Sequence, residues 1–184
     1  DGKPWMLMEQ TSSAVNWRPR NVLKQPGQMR LWSMQALARG ANTVMFFQWR
    51  AARAGAEKFH GALVPHVGTQ DSRVWREVSA LGNELQELGP LAQSRVVADA
   101  GILVDWQNWW ALELDSKPST AVTFYDRLAS FYGPLFAANI TADFVFTDSD
   151  YANYKVIFVP NLYLVDDATA SRLEEYVAGG GTLV

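Results

Sequence analysis

The sequence predicts an α/β protein made of two consecutive parallel-sheet segments, residues 1–90 and 91–184. Three observations carry this expectation. Short continuous apolar runs recur along the chain, as in strands buried on both faces of a parallel sheet. Stretches with helical apolar spacing lie between them, clearest at Val74, Val78, Leu81, Leu85 and Leu88. The charge also reverses: Asp1 to Gly68 carries nine basic and three acidic residues, a net of +6, and Thr69 to Val184 carries seven and sixteen, a net of −9. That contrast fits two pieces of different origin better than a basic nucleic-acid face. The arginines are dispersed among Trp, Phe and Gly and line no single helix.

Pro4 to Met8 (PWMLM) reads as the first strand, closed by Glu9, Gln10 and Thr11. Ser12 to Pro26 is polar, with Asn, Arg and Pro, and reads as a long loop. Gln28 to Arg39 is helix-like, with Met29, Trp32 and Ala36 on one side and Gly40 as the stop. Thr43 to Trp49 (TVMFFQW) is a second buried strand, followed by an Ala- and Gly-rich loop to Gly68. Asp71 to Leu88 is the strongest helix; Asp71 can cap its start and Gly89-Pro90 ends it.

A boundary is expected around Gly89 to Ser94. Beyond it, Ala100 to Trp106 reads as a strand. Thr120 to Ala138 reads as a helix with Leu128, Phe131 and Leu135 inward, kinked or split at Pro134, which lacks an N–H and crowds the preceding turn. Ala142 to Phe146 and Val156 to Val159 are strands. Asp166 to Ala178 is a helix with Leu173, Tyr176 and Val177 inward, and Thr182 to Val184 opens a last strand. The order β-α-β-β-α-β is that of an open doubly wound sheet.

Of the 184 residues, 48% are hydrophobic and 19% charged, which excludes a disordered chain. No run of 18 apolar residues suggests a membrane span, and no basic segment followed by an apolar one suggests a signal peptide. The chain opens on Asp1 rather than Met, so its natural start is expected elsewhere or removed. Cysteine is absent, which excludes disulfides, thiolate metal sites and a cysteine nucleophile, and fits a reducing, cytoplasmic compartment. The net charge of −3 points to neither nucleic acid nor an anionic membrane as partner.

Glu9 is expected directly after a buried strand, where the carboxyl ends of a parallel barrel carry an active site. A carboxylate there can attack an anomeric carbon, and the indole of Trp17 in the following loop offers a flat apolar face to a sugar. A carboxylate satisfied by nearby arginines is the bland alternative. Glu57 and His60, three apart, fall on one side of a helical turn. Together they can grip adjacent hydroxyls, make structural contacts or, least simply, ligate a metal. With only His60 and His66 and no second Glu-x-x-His, metal ligands are short. Trp106, Trp109 and Trp110 read as core packing with a subunit interface, ahead of a second carbohydrate platform. Gly179-Gly180-Gly181 follows a helix and precedes a strand, the wrong order for phosphate binding. No Ser–His–Asp set stands out, and Ser12 and Ser13 have no elbow context.

The runs PWMLMEQTSSAVNWRPRN (4–21) and GANTVMFFQWRAARAGAEKFHGALVPHVG (40–68) closely resemble glycoside hydrolase family 42 β-galactosidases. GILVDWQNWWALE and KVIFVPNLYLVDDATASRLEEYVAGGGTLV resemble the domain that follows the barrel in that family. The resemblance implies the last two β/α units of a (β/α)8 TIM barrel. After them it implies a partial, doubly wound α/β domain, like a class I amidotransferase without its cysteine, that mediates trimer formation. It places the catalytic nucleophile at Glu9, a sugar-contacting tryptophan at Trp17, galactose hydroxyl contacts at Glu57 and His60, and a pocket-lining aromatic at Phe47.

The same resemblance exposes a gap. A retaining glycosidase needs two carboxyls about 5 Å apart, and the family's acid/base sits in an Asn-Glu pair near the end of the fourth barrel strand. Asn83-Glu84 lies instead in the amphipathic helix, so the acid/base and the first six strands are expected outside this sequence. No cofactor is implied, and the cysteine-bound zinc of some members has no ligands here. The expectation is a homo-oligomeric retaining β-galactosidase acting on galactosides by double displacement, of which this piece alone is inactive. The alternatives are a non-catalytic assembly or sugar-binding module, and a related retaining glycosidase of different sugar specificity.

Overall fold

The computed structural model describes residues 5–117 and 119–184; Pro4, expected to start the first strand, lies outside the described residues. Two compact units divide after Val96, Asp1–Val96 and Val97–Val184. The short 3-10 turn Gly89–Gln93 packs with the helix before it, its Leu91 N–H donating to the Leu88 carbonyl at 2.9 Å, which carries the first unit past residue 90. Among the described residues no helix is long and apolar enough to cross a membrane.

In the first unit, β1 (Trp5–Thr11) pairs in parallel with β2 (Ala41–Phe47) around helix α1 (Gln28–Ala38). Gly27 and Gly40, at φ 78° and 91°, bound α1, since left-handed backbone suits residues without a Cβ. Both strands were expected to be buried on both faces. They are not: Trp5, Met6 and Met8 are 42%, 50% and 70% exposed, and in β2 only Ala41 is fully buried. The described chain supplies one two-stranded sheet here, so nothing in it covers the second face. On α1 the inward residues are Met29 and Ser33; Trp32, expected inward, is half-exposed.

Helix α2 (Arg73–Glu87) carries the expected stripe, with Leu81 buried and Val74, Val78, Leu85 and Leu88 half-buried. Its cap is Ser72, whose hydroxyl accepts from the Trp75 N–H at 3.1 Å. Asp71, expected to cap, instead holds Arg76 at 2.6 Å. Serine wins because its short side chain reaches the third N–H from an extended backbone, here φ −103° and ψ 153°.

The second unit is a four-stranded parallel sheet in the order β4-β3-β5-β6, from β3 (Ala100–Leu103), β4 (Ala142–Val145), β5 (Val156–Phe158) and β6 (Thr182–Leu183). Alternate strand residues face opposite layers. Ala100, Ile102 and Ala142 pack with Leu128, Phe131 and Leu135 of α4 (Phe124–Ala137); Leu103, Val145 and Ile157 pack with Leu173 and Tyr176 of α5 (Asp167–Ala178). A Cβ on Gly101 would stand 2.5 Å from Ile157 Cδ1, so glycine is what lets Ile157 fill the space beside β3.

Several expectations need correction here. Trp106 does not end β3; it begins helix α3 (Trp106–Glu113), capped by Asp105, which accepts from the Asn108 N–H at 2.8 Å. Helix α4 begins at Phe124, capped by Thr123, rather than at Thr120, and it is not split by Pro134, which sits in its last turn, where one missing donor costs least. Val177 is 47% exposed, and Thr169 takes the inward place beside Leu173 and Tyr176. Trp106 and Trp110 are 50% and 64% exposed and are not core; only Trp109 is half-buried, stacked between Trp106 and Phe124 at 5.4 and 5.0 Å.

Candidate active site

The expected site residues gather at the carboxyl ends of β1 and β2. Glu9 lies within β1 rather than after it, since the strand runs on to Thr11, and its side chain is exposed. Leu7 pairs with Val44 and Gln10 with Phe46, so Met8 and Glu9 together oppose Met45. A bulge of this kind re-aims side chains and is common beside active sites. Gln10 takes the opposite face: it is buried, and its amide donates to Ser33 Oγ on α1 at 2.8 Å.

The loop after β2 leaves and returns to the strand end. Leu63 and Val64 donate backbone N–H groups to the Gln48 and Trp49 carbonyls at 2.9 and 2.8 Å, and Ala51 donates to Val64 at 2.9 Å. It is clamped onto the loop after β1 at two points. The Asn16 amide donates to the Ala56 carbonyl, and the Gly61 N–H donates to the Ala14 carbonyl at 2.7 Å. A Cβ on Gly61 would lie 2.8 Å from the Ala14 nitrogen, a backbone atom with nowhere to go.

That clamp fixes the aromatic set. Trp17 stacks on His60, and Phe47 meets the same imidazole edge-on at 4.8 Å. The turn expected from the Glu57–His60 spacing is present, with the His60 N–H donating to the Glu57 carbonyl at 3.0 Å. His60 is buried, and its Nδ1 lies 2.9 Å from the Gly61 carbonyl. A carbonyl only accepts, so Nδ1 carries the proton and Nε2 is free to accept in the neutral ring.

Among the described residues, four buried side-chain atoms lack a hydrogen-bond partner: Ser12 Oγ, Gln48 Nε2, Glu57 Oε2 and His60 Nε2. All four belong to the two loops and strand ends just described. Buried polar groups are ordinarily bonded, so four exceptions on the same two strand ends and loops mark a region where something polar belongs. The set is mixed: a carboxylate oxygen accepts, an amide N–H donates, and a hydroxyl does both. That mixture matches hydroxyl groups, which donate and accept, better than an anion or a cation. Among the described residues no three His, Asp or Glu side chains converge in a way that could hold a metal ion.

Ser12 was weighed from the sequence only as a nucleophile and set aside, and Gln48 was not singled out. Their signal is positional: each directly follows one of the paired residues Thr11 and Phe47, at the ends of the two strands. Lys24 was also passed over as part of a polar loop. It is buried, and its ammonium reaches the Gln10 side chain and the Thr11 carbonyl.

Comparison with known proteins extends this picture. Residues 1–88 match the family model described as β-galactosidase, and residues 98–184 match the β-galactosidase trimerisation domain. The β-galactosidase BgaB of Geobacillus sp. (strain Y412MC61) is 50% identical over 183 residues, which is 100% of this chain and 27% of BgaB. The β-galactosidase LacZ of Heyndrickxia coagulans is 51% identical over 179 residues, 97% of this chain and 27% of LacZ. The crystal structure of β-galactosidase from Bacillus circulans sp. alkalophilus superposes with a TM-score of 0.94 at 46% identity, over 98% of this chain and 27% of that one. This chain thus spans about a quarter of the length of the relatives it matches. With two models of one family matching in succession along it, the chain belongs to the glycoside hydrolase family 42 β-galactosidases.

Proposed function

We propose that this chain is part of a retaining β-galactosidase, with Glu9 as its nucleophile. Residues 1–90 are read as the last two β/α units of a (β/α)8 barrel. Residues 91–184 are read as the start of an amidotransferase-like α/β domain through which the complete protein forms a trimer in the cytoplasm. In the first step a Glu9 carboxylate oxygen bonds to the anomeric carbon as the glycosidic C–O bond breaks. An acid elsewhere in the complete protein gives its proton to the departing oxygen. Water, deprotonated by that same group, then displaces Glu9 and releases galactose.

The observation that carries this reading is the mixed set of unpartnered atoms on Ser12, Gln48, Glu57 and His60, borne by the same strand ends and loops that bring the rings of Trp17, Phe47 and His60 together. Polar groups that donate and accept, beside flat apolar faces, suit a pyranose, whose edges are hydroxylated and whose C–H face is apolar. On this reading Glu57 and His60 grip ring hydroxyls, and Trp17 and Phe47 pack against the sugar. The exposure of Glu9 beside the buried Gln10 supports the nucleophile, because it leaves the carboxylate outside the core.

The test is hydrolysis of 4-nitrophenyl β-galactoside by the complete protein, with the first-formed sugar anomer followed by NMR. The β-anomer is expected first, and the α-anomer first would overturn the retaining mechanism. The chain of 184 residues, holding one carboxylate of the required pair, is expected to release no nitrophenol on its own; release would overturn that part. The assembly reading is favoured by the match to a trimerisation domain. Mass in solution checks it, with a trimer of the complete protein expected and a monomer contradicting it.

A further inference from the structure

We propose that Lys24 is a positioning residue for the nucleophile: its buried ammonium locks the carboxyl end of β1 and so sets the direction in which Glu9 points. This deepens the reading of Glu9 given above and rests on it.

Lys24 is 7% exposed. Its Nζ donates to the Thr11 carbonyl and to Gln10 Oε1, the latter at 3.3 Å, and lies 4.7 Å from the centre of the Trp32 ring. Among the described residues no carboxylate pairs with it. An ammonium buried this way is costly, and burial lowers its pKa accordingly. A methionine would fill similar space at no such cost. The lysine is therefore poorly explained by stability alone, and its location offers another reason.

The amine grips β1 directly after an irregularity in its pairing. The register slips between Leu7 and Gln10, so Met8 and Glu9 lack a regular place opposite β2, while Gln10 and Thr11 pair with Phe46 and Phe47. Lys24 bonds the carbonyl of Thr11 and the side chain of Gln10, the two residues after Glu9. Gln10 in turn donates to Ser33 Oγ at 2.8 Å, which donates to the Met29 carbonyl at 2.8 Å. The Lys24 carbonyl accepts from Arg73 at 2.9 Å. The amine is thus anchored to α1 through Gln10 and to α2 through its own backbone. Gln10 is buried and bonded to α1 while its neighbour Glu9 is exposed, so holding Gln10 holds the backbone from which Glu9 projects. Rotation of the segment would swing Glu9 off line, and a displacement of about 1 Å at a reacting group costs on the order of a hundredfold in rate.

The experiment is Lys24→Met in the complete protein, compared with the parent by thermal unfolding, by kcat and KM on 4-nitrophenyl β-galactoside, and by the trapping rate of a 2-fluoro-galactosyl fluoride. In folded Lys24→Met protein, kcat and trapping rate are expected to fall together by about ten- to a hundredfold, with KM changed by less than about threefold. A purely structural lysine would lower the unfolding temperature and leave kcat per folded molecule alone; kcat within about twofold of the parent would overturn the proposal. Should Lys24→Met not fold, Gln10→Met decides: it removes the amine's side-chain anchor, and an unchanged trapping rate in that variant overturns the proposal equally. The two readings fail separately. A parent enzyme labelled away from Glu9 sinks the nucleophile assignment. A parent labelled at Glu9, with Lys24→Met trapped at the parental rate, sinks only the role of Lys24.

Discussion

Trp17 lies face to face with His60, their ring centroids 5.1 Å apart and their planes 25° from parallel. The two residues belong to different loops, one after each strand of the first sheet. The contact brings the one exposed indole of the first loop onto the buried imidazole of the second, and with it the two halves of the proposed sugar site.

Trp17→Ala in the complete protein is expected to lower kcat/KM for the nitrophenyl galactoside about fivefold, mostly through KM, since an aromatic face contributes on the order of 1 kcal/mol. Unchanged constants would remove Trp17 from the site.

Gly61→Ala tests the clamp. A methyl group placed 2.8 Å from the Ala14 nitrogen forces the loops apart. The substitution is expected to destabilise by about 1–3 kcal/mol and to lower kcat/KM, because His60 directly precedes Gly61 and is displaced with it. Parental melting temperature and activity together would show that the loops are not held at this point.

Ser12→Ala separates ligand contact from folding. Its hydroxyl is buried without a partner, so removing it is expected to leave stability unchanged or slightly raised. If the hydroxyl meets the sugar, kcat/KM falls several-fold. A variant with lower stability and full activity would contradict both halves of this argument.

The fold was legible where local rules act alone. The α2 stripe and the α5 and β5 segments follow directly from apolar spacing and from capping or punctuating residues. Helix α3 was missed because its tryptophans drew attention as a surface, although Asp105 three residues before Asn108 is an ordinary capping signal. The exposure of Trp5, Met6 and Met8 could not be read from the apolar run itself. A continuous apolar run declares what a strand needs to bury, not whether the partner is in the same stretch of chain. Of the candidate site, the Glu57–His60 turn was legible by spacing, Trp17 by its place in the loop after β1, and Phe47 only through the family resemblance. Ser12, Gln48 and Lys24 were not, because each acquires its meaning from residues brought beside it only by the parallel pairing of β1 and β2.

The second unit has its own pH signature. Burial, a 3.0 Å hydrogen bond to Asp143, and the negative charges of Asp143 and Asp150 push the Tyr154 hydroxyl up to about 12. An unfolded tyrosine ionises near pH 10, so between about pH 10 and 12 the unfolded chain loses this proton before the folded one. The stabilising contribution is complete below about pH 10 and declines as pH rises through that window. Denaturation midpoints of the complete protein are expected to fall more steeply there than those of Tyr154→Phe. The burial that raises Tyr151 and Tyr176 leaves a remaining slope in the variant. Equal slopes would assign the alkaline loss to other groups.

The central claim is that the Glu9 carboxylate bonds to the sugar. The complete protein, inactivated with a 2-fluoro-galactosyl fluoride, digested and sequenced by mass spectrometry, is expected to carry the fluorogalactosyl group on Glu9, with Glu9→Gln taking up no label. Stoichiometric label on any other side chain would contradict the account.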